Sequence, residues 1–289
     1  GWAAKDLVQP PRLAPNGSYW VAVSTRNLSG NPADPDNLCS NIWSVSPDGS
    51  TWTALTTRSM AGQDSLDPAI SPDSSTIAFA SHQPLTGGGA TPNSYNIWTI
   101  QSNGTGETAL TSETNANRDS REPSFHPSGG GLVFASSKKI GAATSQSYNL
   151  WKYDFGSSTA THFSSDTTTD MDRRQPRYSN DGTLLVYVSI QPLTSGGSAT
   201  DSYNIWVSDA STLDESPLTT VTTIGQDVLH PEFSADDAYI AFDGYRPVSI
   251  MTPNSSNIWV YDIARATFTP ITQNRNAGLD SWLMPGSTW

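Results

Sequence analysis

The chain alternates short apolar runs with polar, turn-rich segments. The run T-I-A-F-A at Thr76 to Ala80 follows a Pro-Asp turn, and after a polar stretch a second run, N-I-W-T-I, begins at Asn96. Alternating apolar, β-branched and aromatic positions bounded by Pro, Asp, Asn and Gly predict β-strands joined by tight turns. Because no helical periodicity lies between these runs, the pattern predicts an all-β protein.

One short phrase recurs along the chain in five related forms, namely S-N-I-W, S-Y-N-I-W, S-Y-N-L-W, S-Y-N-I-W and S-S-N-I-W. Its asparagines are Asn41, Asn96, Asn149, Asn204 and Asn257, spaced 55, 53, 55 and 53 residues apart. A period near 50 residues indicates repeated structural units. Function must therefore be sought in what the copies share and in where they differ.

Each unit contains four predicted strands. Two form a hairpin, as in D-P-A-I-S-P-D-S-S-T-I-A-F-A-S from Asp67, the N-I-W run is the third, and a weaker strand ending in Leu-Thr or Ile-Thr is the fourth. Four-stranded units of this length favour a β-propeller of five blades in a single domain, 1–289. We expect the blades at residues 8–63, 64–118, 119–171, 172–226 and 227–278, with 279–289 as a closing segment. Since the stretch 278–284 resembles the start of another unit, six blades with a composite last blade are the alternative.

The Pro-Asp turn, the I-A-F strand, the N-I-W strand and the Leu-Thr strand together resemble the TolB-type propeller repeat over nearly the whole chain. The resemblance implies a fold rather than one activity, because this repeat serves binding modules, peptidase propellers and some polysaccharide lyases. It also implies two specific alternatives for function. One is a propeller that docks a protein partner, and the other is a metal-assisted polysaccharide lyase or glycoside hydrolase.

The composition narrows the classes of partner. The chain has 27 acidic residues against 15 Lys and Arg, a net charge of -12, and one cysteine, Cys39. This charge disfavours nucleic acid and anionic membranes as partners, and no apolar run is long enough for membrane insertion. A single cysteine excludes an internal disulfide framework. The composition agrees with a secreted or periplasmic protein.

The long loops before the N-I-W strands are the first candidate site. They begin Q-P-L-T at Gln83 and at Gln191, and R-P-V-S at Arg246. Their Gly, Ser, Thr, Asn and Tyr residues suit a polar ligand, and loops longer than a hairpin needs often carry binding. The expected ligand-binding residues are Gln83, Asn93, Tyr95, Tyr148, Gln191, Asp201, Tyr203, Arg246 and Asn254. Near-identical loops on one face favour a multivalent, lectin-like module for carbohydrate or another polar ligand.

The connections between blades hold the second candidate site. An aspartate precedes each strand-opening proline by four residues and is expected to cap the loop. The residue directly before that proline differs between blades, being Asp67, Glu122, Gln175 or His230. These four side chains are expected to line the mouth of the central channel, where they could hold a divalent cation. Oligogalacturonate lyases, which share the repeat, bind a metal through His and Gln, but this chain has only four histidines.

No motif for a catalytic nucleophile, a zinc protease or a phosphate loop is present. A glycosidase would need two facing carboxylates, and Glu122 with Asp67 is the one pair that can be placed at the channel mouth. The sequence therefore favours a non-catalytic binding module, most simply one that binds carbohydrate on the long-loop face. Protein docking on the same face and metal-assisted catalysis in the channel are the alternatives.

Overall fold

A computed structural model describes residues 7–28, 38–85, 94–116, 118–141, 147–164, 171–193, 200, 202–245, 255–273 and 280–281. All regular structure in these ranges is β-strand. Within them, no helix is long and apolar enough to cross a membrane.

Twenty strands follow one another along the chain in groups of four. The first group is β1 (Gln9–Leu13), β2 (Trp20–Ser24), β3 (Asn41–Val45) and β4 (Trp52–Ala54). The second is β5 (Ser65–Ile70), β6 (Thr76–Ser81), β7 (Asn96–Gln101) and β8 (Thr108–Ala109), and the third is β9 (Ser120–Phe125), β10 (Gly131–Ser136), β11 (Asn149–Asp154) and β12 (Thr159–His162). The fourth is β13 (Arg173–Tyr178), β14 (Leu184–Ser189), β15 (Asn204–Asp209) and β16 (Glu215–Pro217). The fifth is β17 (Val228–Phe233), β18 (Tyr239–Gly244), β19 (Asn257–Asp262) and β20 (Thr267–Pro270).

Each group forms its own antiparallel sheet with the strands in chain order, so the fold is a five-bladed β-propeller. This confirms the predicted fold class. By contacts the chain divides into two compact units, unit 1 (residues 1–146 and 151–162) and unit 2 (residues 147–150 and 163–289). Within unit 1 β1 contacts β5 and β5 contacts β9, and within unit 2 β13 contacts β17, so the first strands of successive blades lie side by side.

The tryptophans of the repeated phrase form the packing between blades. In unit 1, Phe79 and Trp98 of the second blade share one buried cluster with Val21, Val23 and Ile42 of the first. Unit 2 repeats this arrangement with Phe242 and Trp259 against Val186, Val188 and Ile205. Since the five indoles are only 4 to 6% exposed, they serve as core and not as platforms for a ligand.

The asparagine of the phrase joins the third strand of a blade to the fourth. In the fourth blade Asn204 Oδ1 accepts hydrogen bonds from Thr219 Oγ1 (3.0 Å) and from the backbone N–H of Val221 (2.7 Å), and Thr219 Oγ1 accepts one from the N–H of Ile205 (2.9 Å). Asn41 with Thr56 and Asn96 with Thr111 repeat the arrangement in the first two blades. The Leu-Thr ending and the N-I-W phrase are thus two halves of one buried network.

The turns between the first and second strands are closed by a serine and an aspartate. Ser71, Ser179 and Ser234 donate to Asp73, Asp181 and Asp236 at 2.6 to 2.7 Å. Backbone N–H groups later in each turn donate to the same carboxylates. Hydrogen bonds from these hydroxyl and backbone groups lower the pKa of all three aspartates.

Candidate functional site

Each blade is joined to the chain segment that follows it by one aspartate, five in all. In every blade Asp Oδ1 accepts a hydrogen bond from the backbone N–H just before the repeated asparagine, at 2.6 to 2.9 Å. The pairs are Asp64 with Ser40, Asp119 with Tyr95, Asp172 with Tyr148, Asp227 with Tyr203, and Asp280 with Ser256. The predicted loop-capping role is therefore correct, and it fixes the three tyrosines at the ends of their strands.

Tyr95 lies in a stack of side chains in unit 1. The His82 ring is stacked on it with centroids 3.6 Å apart, and the guanidinium carbon of Arg121 is 4.3 Å from the Tyr95 ring centroid. Because two groups this close would overlap on one face, we infer that they cover opposite faces. Burial raises the pKa of the Tyr95 hydroxyl. A ring covered on both sides offers no face to a sugar.

The other two predicted tyrosines lie in unit 2. The guanidinium carbon of Arg174 is 4.0 Å from the Tyr148 ring centroid. Tyr203 donates its hydroxyl to Asp172 Oδ2 at 3.3 Å, and its ring packs at the edge of the unit 2 core together with Leu229. Arg121 and Arg174, each in the first strand of the next blade, thus stand over the tyrosine of the preceding blade.

The remaining loop residues divide into two groups. The side chains of Gln83 and Gln191 follow β6 and β14 and are 1% and 5% exposed, so they lie beneath the surface. Asn93, Asp201, Arg246 and Asn254 lie outside the described residues. A ligand-binding role for all six stays a prediction.

The four residues predicted at the channel mouth occupy one backbone position. Two residues of the first strand, for example Asp67 and Pro68, stand opposite one residue of the second, which is a β-bulge. Asp67, Glu122, Gln175 and His230 all have a left-handed backbone, with φ between 53 and 58°. Proline suits this bulge because it has no N–H that would need a partner.

In unit 1 the bulge side chain joins three successive first strands. The side-chain amide of Gln9 donates to Asp67 Oδ1 at 2.7 Å, and its oxygen accepts the N–H of Asp67 at 2.7 Å. Arg121 donates to Asp67 Oδ2 at 3.0 Å. The Asp67 carboxylate is thus already paired with a cation, which lowers its attraction for a metal ion.

In unit 2 the bulge carries a histidine held by a buried acid. His230 Nδ1 is 2.8 Å from Asp243 Oδ1, and the His230 N–H donates to the side-chain oxygen of Gln175 at 2.8 Å. A carboxylate on Nδ1 orients the imidazole and leaves Nε2 as the group that can accept a proton or bind a cation. Sequence reasoning missed Asp243. The copies do give a signal, since the equivalent residues of the other blades are all apolar, namely Val23, Ala80, Ala135 and Val188.

The side chains predicted to hold a cation, namely Asp67, Glu122, Gln175 and His230, stand at the bulges of their strands. In the described part of the chain, no group of three or more His, Cys, Asp and Glu side chains is arranged to hold a metal ion. A divalent cation in the channel stays a prediction.

Large apolar side chains are exposed near the aspartate caps. Met60, in the connection before Asp64, is 63% exposed, and Ile224, in the connection before Asp227, is 75% exposed. Leu38, two residues before Ser40, is 74% exposed. The Asp64 to Ser40 hydrogen bond brings the segments of Leu38 and Met60 to one end of the first blade. Sequence reasoning missed all three because each is a single apolar residue in a polar loop.

Comparison with known proteins gives a fold but no sequence family. No family model matches, and no curated protein matches in sequence. Among solved structures, a putative TolB from Agrobacterium tumefaciens aligns with a TM-score of 0.66 at 16% identity, covering 94% of this chain and 82% of that one. TolB from Acinetobacter baumannii aligns with a TM-score of 0.62 at 17% identity, covering 95% and 57%. An oligogalacturonate lyase in complex with manganese aligns with a TM-score of 0.59 at 12% identity, covering 93% and 65%.

These alignments define the class of protein. The chain has the TolB-type propeller fold, as the repeat predicted. It spans little more than half of the Acinetobacter TolB and about two thirds of the lyase. At identities of 12 to 17% the likeness extends to the fold alone.

Proposed function

We propose that this propeller is a non-catalytic module that docks one protein partner through a docking face in unit 1, at the end of the first blade where Leu38 and Met60 are exposed. The observation that carries the proposal is the exposure of Leu38 and Met60 on two segments that the Asp64 to Ser40 hydrogen bond joins. Ile224 is likewise exposed at the equivalent connection in unit 2. Large apolar side chains that stay in water cost free energy, and their grouping near one end of a blade is typical of an interface.

The stack around Tyr95 favours protein over carbohydrate. A sugar packs on an open aromatic face, and both faces of Tyr95 are occupied by His82 and Arg121. A protein can instead contact the edge of the ring and the guanidinium, and Tyr and Arg are common anchors in protein interfaces. The fold shared with two TolB proteins agrees with a docking role by analogy.

The proposed partner is not nucleic acid, since the net charge is -12. It is not the interior of a membrane either, because no apolar run of the sequence is long enough to insert. We also propose a secreted or periplasmic location, which the composition and the TolB likeness favour. Fractionation of the native cells tests the location independently of any partner.

The docking proposal is tested with a pair of matched variants. Leu38→Ser with Met60→Ser removes two exposed apolar side chains from the proposed face, whereas Leu13→Ser removes one near the turn at the opposite end of the same blade. We expect one partner molecule per chain, captured from the native extract, and a loss of affinity of about tenfold or more in the double variant, since an interface anchor contributes about 1 to 2 kcal/mol.

Equal binding by the wild type and both variants would exclude this face. If calorimetry shows several equivalents of a simple oligosaccharide bound per chain, the protein is better described as a carbohydrate-binding module. In that case replacement of Tyr95 and Tyr203 by Ala would lower the number of sites.

A further inference from the structure

His82 is stacked on Tyr95, and its surroundings favour a neutral imidazole ring. Its Nε2 is buried and has no hydrogen-bond partner, and its backbone N–H donates to the Asp64 carbonyl at 3.3 Å. Burial lowers the pKa of His82, and the attraction of Asp119, a hydrogen bond with the backbone of Gly62 and the attraction of Asp64 offset this only in part. A neutral imidazole can leave one nitrogen unpaired at modest cost, whereas an imidazolium in the same place cannot.

Three charged groups face His82. Asp64 and Asp119 favour a positive ring, and Arg121, on the other side of Tyr95, opposes it. Both carboxylates already accept a backbone N–H through Oδ1, from Ser40 and Tyr95 respectively. Arg121 is likewise committed to Asp67. Nε2 itself is buried and has no acceptor in the closed stack, so a proton placed on it favours a ring that has turned outward to water.

We propose that His82 makes the Tyr95 stack an acid-sensitive latch on the docking face, closed while the imidazole is neutral and open once it is protonated. This inference rests on the proposed docking function for its biological use but not for its chemistry. A ring with a lowered pKa in the closed state stabilises that state above the ordinary histidine pKa of 6.5 and ceases to do so as the pH falls. Acid conditions thus expose the face of Tyr95 that His82 covers, while Arg121 stays on the other face.

The fourth blade provides a natural comparison. Ser189 pairs with Asn204 as Ser81 pairs with Asn96, so Ile190 stands where His82 stands in the second blade. In the blade after it, Leu229 occupies the strand position that Arg121 occupies after the second blade. The fourth blade is therefore a version of the same site without the imidazole, and His82→Ile copies that feature into the second blade.

The latch is tested on the isolated protein by labelling tyrosine with fluorine and following the Tyr95 resonance, assigned through Tyr95→Phe. The pH is lowered from about 7.5 to about 4.5, the range in which histidine titrates. In the wild type we expect the resonance to move toward that of a solvent-exposed tyrosine, with a midpoint below 6.5. In His82→Ile we expect it to stay constant over the same range.

His82→Gln, which is polar and does not titrate, serves if the Ile variant fails to fold. A wild-type resonance that does not change, or one that moves equally in the variants, would overturn the latch. Since no partner is present, failure of this experiment leaves the docking proposal intact. Conversely, if the latch opens in acid but no partner binds, the latch stands and the docking proposal fails.

Discussion

In each blade one aspartate caps the backbone just before the third strand. Each cap satisfies a backbone N–H that its own strand ladder leaves unpaired, and it fixes the direction in which the next segment leaves. Its position could be predicted because Asp64, Asp119, Asp172 and Asp227 all stand four residues before a proline. The stack of His82, Tyr95 and Arg121 could not be predicted, because its members come from three strands of two blades and share no spacing.

Removing one cap should lower the stability of its blade. Asp227→Ala takes away the acceptor of the Tyr203 N–H, which is 2.9 Å from Oδ1, and leaves that donor partly buried without a partner. Since hydrogen bonds to charged groups contribute about 1.5 to 3 kcal/mol, we expect the free energy of unfolding to fall by about this amount. The measurement is the midpoint of urea unfolding with an unchanged slope.

Asp214→Ala is the matched control, because Asp214 is an exposed aspartate of the same blade. It should leave the midpoint within about 0.5 kcal/mol of the wild type. Equal shifts in the two variants would mean that the cap contributes no more than an ordinary surface charge.

At the scale of elements, the strand order of each blade follows from the sequence, but the bulge in the first strand does not. The alternation of apolar residues in T-I-A-F-A and the turn before it are enough to predict β6 and its hairpin. The left-handed backbone at Asp67 leaves no trace in composition, since the same position accepts Glu122, Gln175 and His230. The partner of Asn204, Thr219, was visible as a repeated Leu-Thr ending, yet its role appears only when the two strands are paired.

Replacing that threonine should loosen the outer strand. Thr219→Val keeps the shape of the side chain but removes the hydroxyl that donates to Asn204 and accepts from the Ile205 N–H. Because two buried groups lose a partner, we expect a loss of about 1 to 3 kcal/mol in the free energy of unfolding. Thr219→Ser, which retains the hydroxyl, should recover much of it.

The adjacent Thr220→Val is the control, since Thr220 is exposed. Hydrogen exchange of the Ile205 amide provides a second reading, with faster exchange expected in Thr219→Val alone. Unchanged exchange there would show that the network does not hold the strand.

For the whole molecule, we expect the hydrogen-bonded aspartates in the turns of several blades to make the free energy of unfolding depend on pH in acid. Hydrogen bonds from Ser46 and Ser50 lower the pKa of Asp48 to about 2, and those from Ser211 and Thr212 lower the pKa of Asp209 to about 2. A carboxyl whose pKa is lowered by folding stabilises the native state above its ordinary pKa near 4, and this contribution is lost as the pH falls through the native value. Stability should therefore decline between about pH 4 and about pH 2.

Urea unfolding across that interval measures the decline. Ser46→Ala with Ser211→Ala removes one hydroxyl donor from each of Asp48 and Asp209, and we expect a shallower dependence on pH because the two pKa values return toward normal. An unchanged slope would assign the acid response to groups outside the turns.

The bulged first strand also makes the molecule open to redesign. The φ angles at this position agree within 5° although the four side chains differ. They are those of an aspartate, a glutamate, a glutamine and a histidine. The conformation of that position is therefore imposed by the pairing of the flanking residues and not by the residue itself. Evolution and the protein engineer alike can exchange the chemistry presented there one blade at a time, leaving the scaffold that carries it in place.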